Sequence, residues 1–353
     1  MGAIEYPLWV WLTFFAVVLI ALFVDIGIVN RTSHIPTRRE TIVWAFVWIS
    51  LAIGFNLFVY FQFGAFKAKE FFTGYLIELS LSVDNLFVFL LIFSYFSVPK
   101  KYQHRVLFWG IMGALVMRMV MIFSGAELVE RFHWIIYFFG AFLIYTGIKM
   151  LSNEDEVFNP EESWLVSLVT RYVRIKKTYT KDKFVIIEDG KRVGTLLLLV
   201  LIVVEVSDLI FAVDSIPAIF GITTDRFVVY TSNIFAILGL RTFFFLLADM
   251  ADRFHFLKYG LSFVLSFIGV KMLLPLVAEG ILAVTGEGTS NTITIFLGNF
   301  KDGIYGQEVI NISLLVVAGT IALSIILSLM IPPKRQTSEE RLYQTLDPNR
   351  DRD

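Results

Sequence analysis

The sequence contains no cysteine and only four histidines in 353 residues. Without cysteine there are no disulfides, no thiolate metal ligands and no cysteine nucleophiles. The HExxH and GxSxG motifs of hydrolytic enzymes are also missing, so the sequence predicts neither an enzyme nor catalytic residues. Charged residues form only 17% of the chain and the formal net charge is -1, which gives no basis for a nucleic-acid partner.

Apolar residues are abundant instead. They make up 57% of the chain, with 36 phenylalanines, which is typical of a protein in contact with the lipid bilayer. A membrane-spanning helix needs about 20 mostly apolar residues. This rule predicts an all-α, polytopic transmembrane protein with about nine spans, at 8–29, 41–63, 72–96, 106–125, 134–151, 195–220, 228–247, 259–277 and 308–331.

Lysine and arginine are concentrated on one side of these predicted spans. Because such residues favour the cytoplasmic side, the N-terminus is predicted outside and the C-terminus in the cytoplasm. The first apolar run has no basic region before it and no small-residue cleavage site, so we expect it to be a retained span. The segments rich in lysine and arginine are 31–39, 100–105, 171–192, 253–258 and 334–352.

Two stretches are hydrophilic. The first, 152–193, is predicted to form a cytoplasmic loop with an interfacial helix around Trp164–Ile175, a strand at Lys183–Ile187 and a hairpin turn at Asp189-Gly190. The second, 332–353, is predicted to be a disordered cytoplasmic tail.

The chain also contains an internal repeat. The pattern from Glu78 to Asp84 recurs from Asp208 to Asp214, and two further blocks recur in the same order, at 131–134 and 253–256 and at 147–151 and 269–273. A chance likeness of apolar segments is the alternative, but three matched blocks argue against it. Because three is an odd number of spans, the second copy of a three-span unit enters the membrane from the opposite side. We therefore predict two inverted repeats, as in many secondary transporters. The predicted divisions are 1–71 (two flanking spans), 72–151 (first repeat), 152–193 (loop), 194–277 (second repeat), 278–331 (outer loop and last span) and 332–353 (tail).

Each copy of the repeated motif holds two carboxylates six residues apart. Six residues of ideal helix turn the chain by about 240° net, so the two acids of each motif would point to different faces. If both acids line one cavity, the helix is expected to break beside them, and Pro217 and nearby serines are residues that permit such a break. Glu205 and Asp208, in contrast, share one face of a helix.

An all-oxygen set of side chains within apolar spans suits Mg²⁺, Ca²⁺ or Mn²⁺ better than Cu(I) or Zn²⁺. Protons also bind carboxylates, so exchange of a cation for protons is chemically natural. A proton relay alone is one alternative, and structural pairing of the acids with Arg118 and Arg241 is another, although two arginines cannot neutralise five carboxylates. The predicted metal ligands are Glu78, Asp84, Glu205, Asp208 and Asp214, with Asn85 and Ser215 as weaker candidates.

The acidic stretches Glu78–Asn85 and Glu205–Ala218 resemble the two hallmark motifs of the TerC family of integral membrane proteins, which includes manganese exporters of the Alx type. The resemblance extends from about Asp25 to Met330. It implies efflux of Mn²⁺ from the cytoplasm across the bacterial inner membrane or its thylakoid equivalent, with the acids of both motifs forming the ion site. It also implies links to metal loading of secreted proteins and to membrane-protein biogenesis.

The sequence therefore predicts a transporter that exports a hard divalent cation by alternating access, with protons as the counter-ion and no bound cofactor. Mn²⁺ comes from the family resemblance, whereas the residues alone leave Ca²⁺ and Mg²⁺ open. The alternative is a membrane scaffold that assists a translocon or metal loading of exported proteins without transport of its own. The sequence also leaves open whether the protein forms a homo-oligomer.

Overall fold

The computed structural model describes residues 6–24, 37–152, 175–176, 178–180, 183–188, 191–248, 256–285 and 307–331. Within these ranges the chain is almost entirely helical, apart from one small sheet. The elements, in chain order, are α1 Leu8–Val24, α2 Arg38–Tyr95, α3 Lys100–Arg131, α4 Ile135–Ser152, β1 Ile175–Lys176, β2 Val185–Glu188, β3 Lys191–Thr195, α5 Leu196–Phe220, α6 Arg226–Leu238, α7 Leu240–Ala248, α8 Leu257–Thr285 and α9 Gln307–Met330.

The longest helix, α2, contains two of the predicted spans. It begins with a capping box, in which the Thr37 hydroxyl accepts from the Glu40 amide and the Glu40 carboxylate accepts from the Thr37 amide. Its helical geometry is interrupted at Gly64, whose φ of 87° is one that glycine adopts without steric cost. The predicted spans 41–63 and 72–96 are therefore the two arms of one kinked helix, with no loop between them.

Length and apolar composition identify five helices in the described residues that can cross a membrane, or six if the pair α6 and α7 is one bent span. That pair bends by 42° at Gly239, inside the predicted span 228–247. The five comprise α2, α3, α5, α8 and α9, while α1 and α4 are shorter apolar helices. The protein is thus an all-α, multi-pass integral membrane protein, and the count of nine spans stays a prediction.

The sheet lies in the hydrophilic insertion. Strands β2 and β3 pair antiparallel from Val185 opposite Gly194 to Glu188 opposite Lys191, which is the hairpin that the sequence predicts. A third strand, β1, pairs parallel to β3 and was not predicted. Ile175 belongs to this strand, whereas residues 164–174, the turn at 189–190 and the tail 332–353 lie outside the described residues.

One tyrosine attaches this insertion to the helices. The Tyr179 hydroxyl donates a 2.7 Å hydrogen bond to the carbonyl oxygen of Phe96, at the end of α2. Burial of the ring beside this contact raises the pKa of Tyr179 to about 12, so the hydroxyl keeps its proton at physiological pH. The sheet is therefore held close to the end of α2 where the chain turns into α3.

Helices α4 and α8 pack with their backbones almost in contact. A Cβ on Gly140 would lie 2.9 Å from the carbonyl oxygen of Gly269, and a Cβ on Gly269 would lie 2.6 Å from that of Gly140. Farther along, the Ser262 hydroxyl donates a 2.5 Å hydrogen bond to the carbonyl oxygen of Gly147. Small residues permit this approach, as they do at many helix pairs in membranes.

Candidate cation site in the helix bundle

The charged centre of the bundle is Arg118, which α3 carries into the interior. Its side chain is completely buried and contacts acids from two other helices. The guanidinium donates to both carboxylate oxygens of Asp208 on α5, at 3.0 and 3.1 Å, and forms an ion pair with Glu78 on α2. The Ser215 hydroxyl lies 3.5 Å from Nη1 of the same arginine. Three of the predicted ligands therefore meet around one cation.

The electrostatics of this cluster favour a positive charge at its centre. The fork of the guanidinium matches a carboxylate, and such two-point contacts are stronger than neutral hydrogen bonds. Two buried carboxylates face one guanidinium, however, so the guanidinium can balance the charge of only one of them. A buried charge without a partner is costly, which means that Glu78 and Asp208 need a cation at this place for as long as they are ionised.

Glu205 lies next to this cluster without joining it. It is one helical turn before Asp208 on α5, and its carboxylate packs directly against Gly113 of α3, where any side chain would collide with it. Its Oε2 atom is buried and has no hydrogen-bond partner among the described residues. Glu205 therefore offers a buried carboxylate oxygen that no described group satisfies.

Asp214 faces a different helix. Its Oδ1 atom lies 3.5 Å from the Thr146 hydroxyl on α4, whereas Asp208 faces Arg118 on α3. Helix α5 is continuous from Leu196 to Phe220 and includes Pro217, so the expected break beside the acids does not occur. The two acids face different neighbours, as the rotation of an intact helix dictates, so the condition under which a break was expected is not met.

The remaining predicted ligands are on α2. Asn85 is buried, at 4% exposure, while the side chain of Asp84 lies outside the described part of the structure. Helix α2 is continuous through this region as well, since Gly64 is its one non-helical residue. Within the described residues, no group of three or more histidine, cysteine, aspartate or glutamate side chains is arranged to hold a metal ion. Among the described residues, the predicted acidic ligands Glu78, Glu205, Asp208 and Asp214 are therefore not arranged as one such group.

Sequence reasoning missed two buried polar residues. Lys271 on α8 is 2% exposed and donates a 2.9 Å hydrogen bond to the Gly221 carbonyl oxygen at the end of α5. Asn233 on α6 is fully buried, and neither of its amide atoms has a hydrogen-bond partner in the described residues. For Asn233 the sequence carried a signal, the polar run Thr231-Ser232-Asn233 within an apolar segment.

The fold and this charged interior define a class: an integral, multi-pass, α-helical membrane protein with ionisable groups paired inside its bundle. The chain matches the sequence model of the "Integral membrane protein TerC family" over residues 63–336, and it belongs to that family. The resemblance seen in the acidic motifs is confirmed by this match.

Curated relatives cover most of the chain. An uncharacterized membrane protein of Myxococcus xanthus is 49% identical over 262 residues, which cover 74% of this chain and 82% of that protein. A protein of Escherichia coli strain K12, with the provisional name membrane-bound redox modulator Alx, is 47% identical over 284 residues, covering 78% of this chain and 88% of its own. An uncharacterized membrane protein of Rickettsia felis is 41% identical over 262 residues, covering 74% and 87% respectively. No solved structure matches the chain.

Proposed function

We propose that this protein transports a hard divalent cation across the membrane, with Mn²⁺ as the cation that the family resemblance implies. The observation that carries the proposal is the meeting of Glu78 and Asp208, from two different helices, on the buried Arg118. A pair of carboxylates that already holds one cation inside an apolar bundle is chemically suited to hold another. Their oxygen atoms suit Mn²⁺, Ca²⁺ or Mg²⁺.

In this mechanism the guanidinium of Arg118 occupies the position of the transported ion when no ion is bound. When the ion arrives, the guanidinium moves away and the acids of the two motifs bind the metal. Glu205 lies beside the cluster with an unsatisfied oxygen, and Asp214 and Asp84 belong to the same motifs. Return of Arg118 to the acids, or their protonation, releases the ion, so protons are the proposed counter-ion.

We further propose nine spans arranged around two inverted repeats, in the bacterial inner membrane with the N-terminus outside. The contacts between α4 and α8 support the repeat. The repeat aligns Gly147 with Gly269, and the same sequence offset aligns Gly140 with Ser262. The contact of Gly140 with Gly269 therefore has a repeat-related counterpart, which is the contact of Gly147 with Ser262. Such reciprocal contacts are expected of a twofold axis. The two helices are antiparallel at these contacts, which supports an axis in the membrane plane, as proposed for inverted repeats.

Alternating access would follow from rocking one repeat against the other. Glu78 belongs to the first predicted repeat and Asp208 to the second, and Arg118 holds the two together. A motion between the repeats therefore changes the geometry of the ion site, which couples binding to the side from which the site is open.

The test is Mn²⁺ flux into proteoliposomes that contain the purified protein, with and without a pH gradient. We expect saturable flux in the native protein and background flux in Asp208→Asn, because the amide keeps the shape of the carboxylate and loses its charge. Asp84→Asn and Asp214→Asn should also abolish flux without preventing membrane insertion. Glu127→Gln is the matched control, since that acid is exposed at the end of α3 and should transport normally.

Native flux in both Asp84→Asn and Asp214→Asn would exclude those acids from the site. Flux that responds to the pH gradient supports exchange with protons, and flux that ignores it argues against that coupling.

The scaffold function is the second candidate, and one observation favours it. Arg118 is fully buried and its contacts to Asp208 have good geometry, as expected of a structural ion pair. On this alternative, Asp208→Asn lowers the amount of folded protein, and no Mn²⁺ flux is measured even for the native chain. The provisional name of the Alx relative points to redox modulation, but this chain has no cysteine through which thiol chemistry could act.

A further inference from the structure

A second network of charged groups lies where α2 passes the start of α6. Lys67 on α2 places its Nζ atom 2.8 Å from Oε2 of Glu70 and 2.8 Å from Oδ2 of Asp225. The hydroxyl of Tyr6, which precedes α1, donates a 2.5 Å hydrogen bond to the same oxygen of Asp225. We call Tyr6, Lys67, Glu70 and Asp225 the terminal network.

Further groups surround this network. Glu70 is 2% exposed, and the Thr223 hydroxyl accepts a 3.2 Å hydrogen bond from the amide of Asp225. Lys271 of α8 is equally buried. Lys271 in turn binds the carbonyl oxygen of Gly221. In the terminal network, one ammonium group thus bridges two carboxylates whose side chains are at most 9% exposed.

The network joins the segment just before the first predicted repeat to the second predicted repeat. Glu70 lies in the arm of α2 that leads into the first repeat, whereas Asp225 and Thr223 form the connection between α5 and α6 in the second. Asp225 is also the N-cap of α6, where its carboxylate accepts from the amides of Phe227 and Val228. Any motion that separates α2 from the connection between α5 and α6 at this end must break the network.

The terminal network and the Arg118 cluster both include residues of α2, at different heights along that helix. Glu70 and Glu78 are eight residues apart on α2, which corresponds to about 12 Å along the helix axis. Gly74 lies midway between them and touches Ser232 of α6, whose hydroxyl would be 2.9 Å from a Cβ at Gly74. A small-residue contact is thus the layer between the terminal network and the cation site, and small residues let neighbouring helices shift.

We propose that the terminal network is the outer gate of the transport path, closed in this structure. The inference rests on the proposed function and on the outward placement of the N-terminus. While Lys67 bridges Glu70 and Asp225, the connection between α5 and α6 remains bound to α2. In this state an ion outside the membrane cannot reach the acids around Arg118. When those ion pairs separate, the site opens and the ion leaves.

The natural absence of cysteine makes the gate directly testable. Ser232→Cys places one thiol between the gate and the cation site, and its reaction with a membrane-impermeant thiol reagent is followed in right-side-out and inside-out vesicles. Adding Lys67→Gln to this variant removes the bridging charge. We expect labelling of the Ser232→Cys thiol from outside to become at least about tenfold faster, because losing a buried ion pair shifts the population from the closed to the open state. Labelling from the cytoplasmic side should not rise.

Lys69→Gln is the matched control. Lys69 is two residues away on α2, but its ammonium binds Asn311 of α9 at 2.6 Å in an exposed position, outside the gate. Its labelling rate should stay within about twofold of the parent, as expected of a surface substitution. Asp225→Asn provides a second gate variant, because asparagine retains the N-cap while the charge that binds Lys67 is lost.

The outcomes separate the gate from the transport proposal. An unchanged rate in both gate variants, equal acceleration by Lys69→Gln, or faster labelling only from the cytoplasmic side overturns the gate, whatever the Mn²⁺ flux. Faster labelling from outside in both gate variants supports the gate. If the parent then carries no Mn²⁺ flux, the gate stands and the identity of the transported ion is what fails.

Discussion

Arg118→Gln should lower the free energy of unfolding by about 3–5 kcal/mol, because it leaves Glu78 and Asp208 buried without their cation. Thermal unfolding of the protein purified in detergent, followed by tryptophan fluorescence, measures this loss. The change is expected to be larger than that of any single exposed charge. An unfolding midpoint equal to that of the native protein would mean that the Arg118 cluster does not stabilise the fold.

Two further measurements decide what the cluster does. Arg118→Lys keeps the charge but loses the two-point contact with Asp208, so its stability should be intermediate. If the acids bind the transported metal, Mn²⁺ should raise the unfolding temperature of Arg118→Gln more than that of the native protein, since the metal takes the place of the guanidinium. Equal shifts in both proteins would argue that Arg118 and the metal do not compete.

Gly269→Ala should destabilise the protein by about 1–3 kcal/mol or more, although alanine is the better helix former. The new Cβ would lie 2.6 Å from the backbone oxygen of Gly140 and 2.8 Å from the side chain of Ile144, so α4 and α8 must separate. Unfolding in detergent and the amount of protein in the membrane are the measurements.

Gly54→Ala is the matched control for this substitution. Gly54 is also helical, but no atom lies within 4 Å of the position that its Cβ would take. We therefore expect unchanged or slightly higher stability, since alanine gains up to about 1 kcal/mol over glycine in a helix. If both substitutions are tolerated equally, the backbone contact between α4 and α8 is not what holds these helices together.

The Gly269→Ala substitution also bears on the proposed transport cycle. The helices α4 and α8 belong to different predicted repeats and meet through reciprocal contacts. Widening this interface should impair the rocking of one repeat on the other. At temperatures where the variant is folded, we expect lower Mn²⁺ flux than in Gly54→Ala.

The sequence by itself determined the class of the protein and its family. Long apolar runs cannot be explained by a soluble core, so helices in the ranges around Leu8–Val24 and Leu196–Phe220 were predictable from composition alone. The hairpin of β2 and β3 was predictable because the β-branched residues Val185–Ile187 precede an Asp-Gly turn signal. The acidic motifs at Glu78 and Asp208 were evident because carboxylates within such runs are rare and costly.

The tertiary structure alone decided which charges meet. The pairing of Glu78 and Asp208 on Arg118 depends on the rotation and height of α2, α3 and α5 relative to one another, and periodicity within one helix does not specify these. The same limit applies to Asp214, since the sequence did not show that Thr146 of α4 would face it on the other side of α5. It also explains the terminal network, whose residues come from three separate parts of the chain and are ordinary in the sequence. Only packing reveals that they share one buried site.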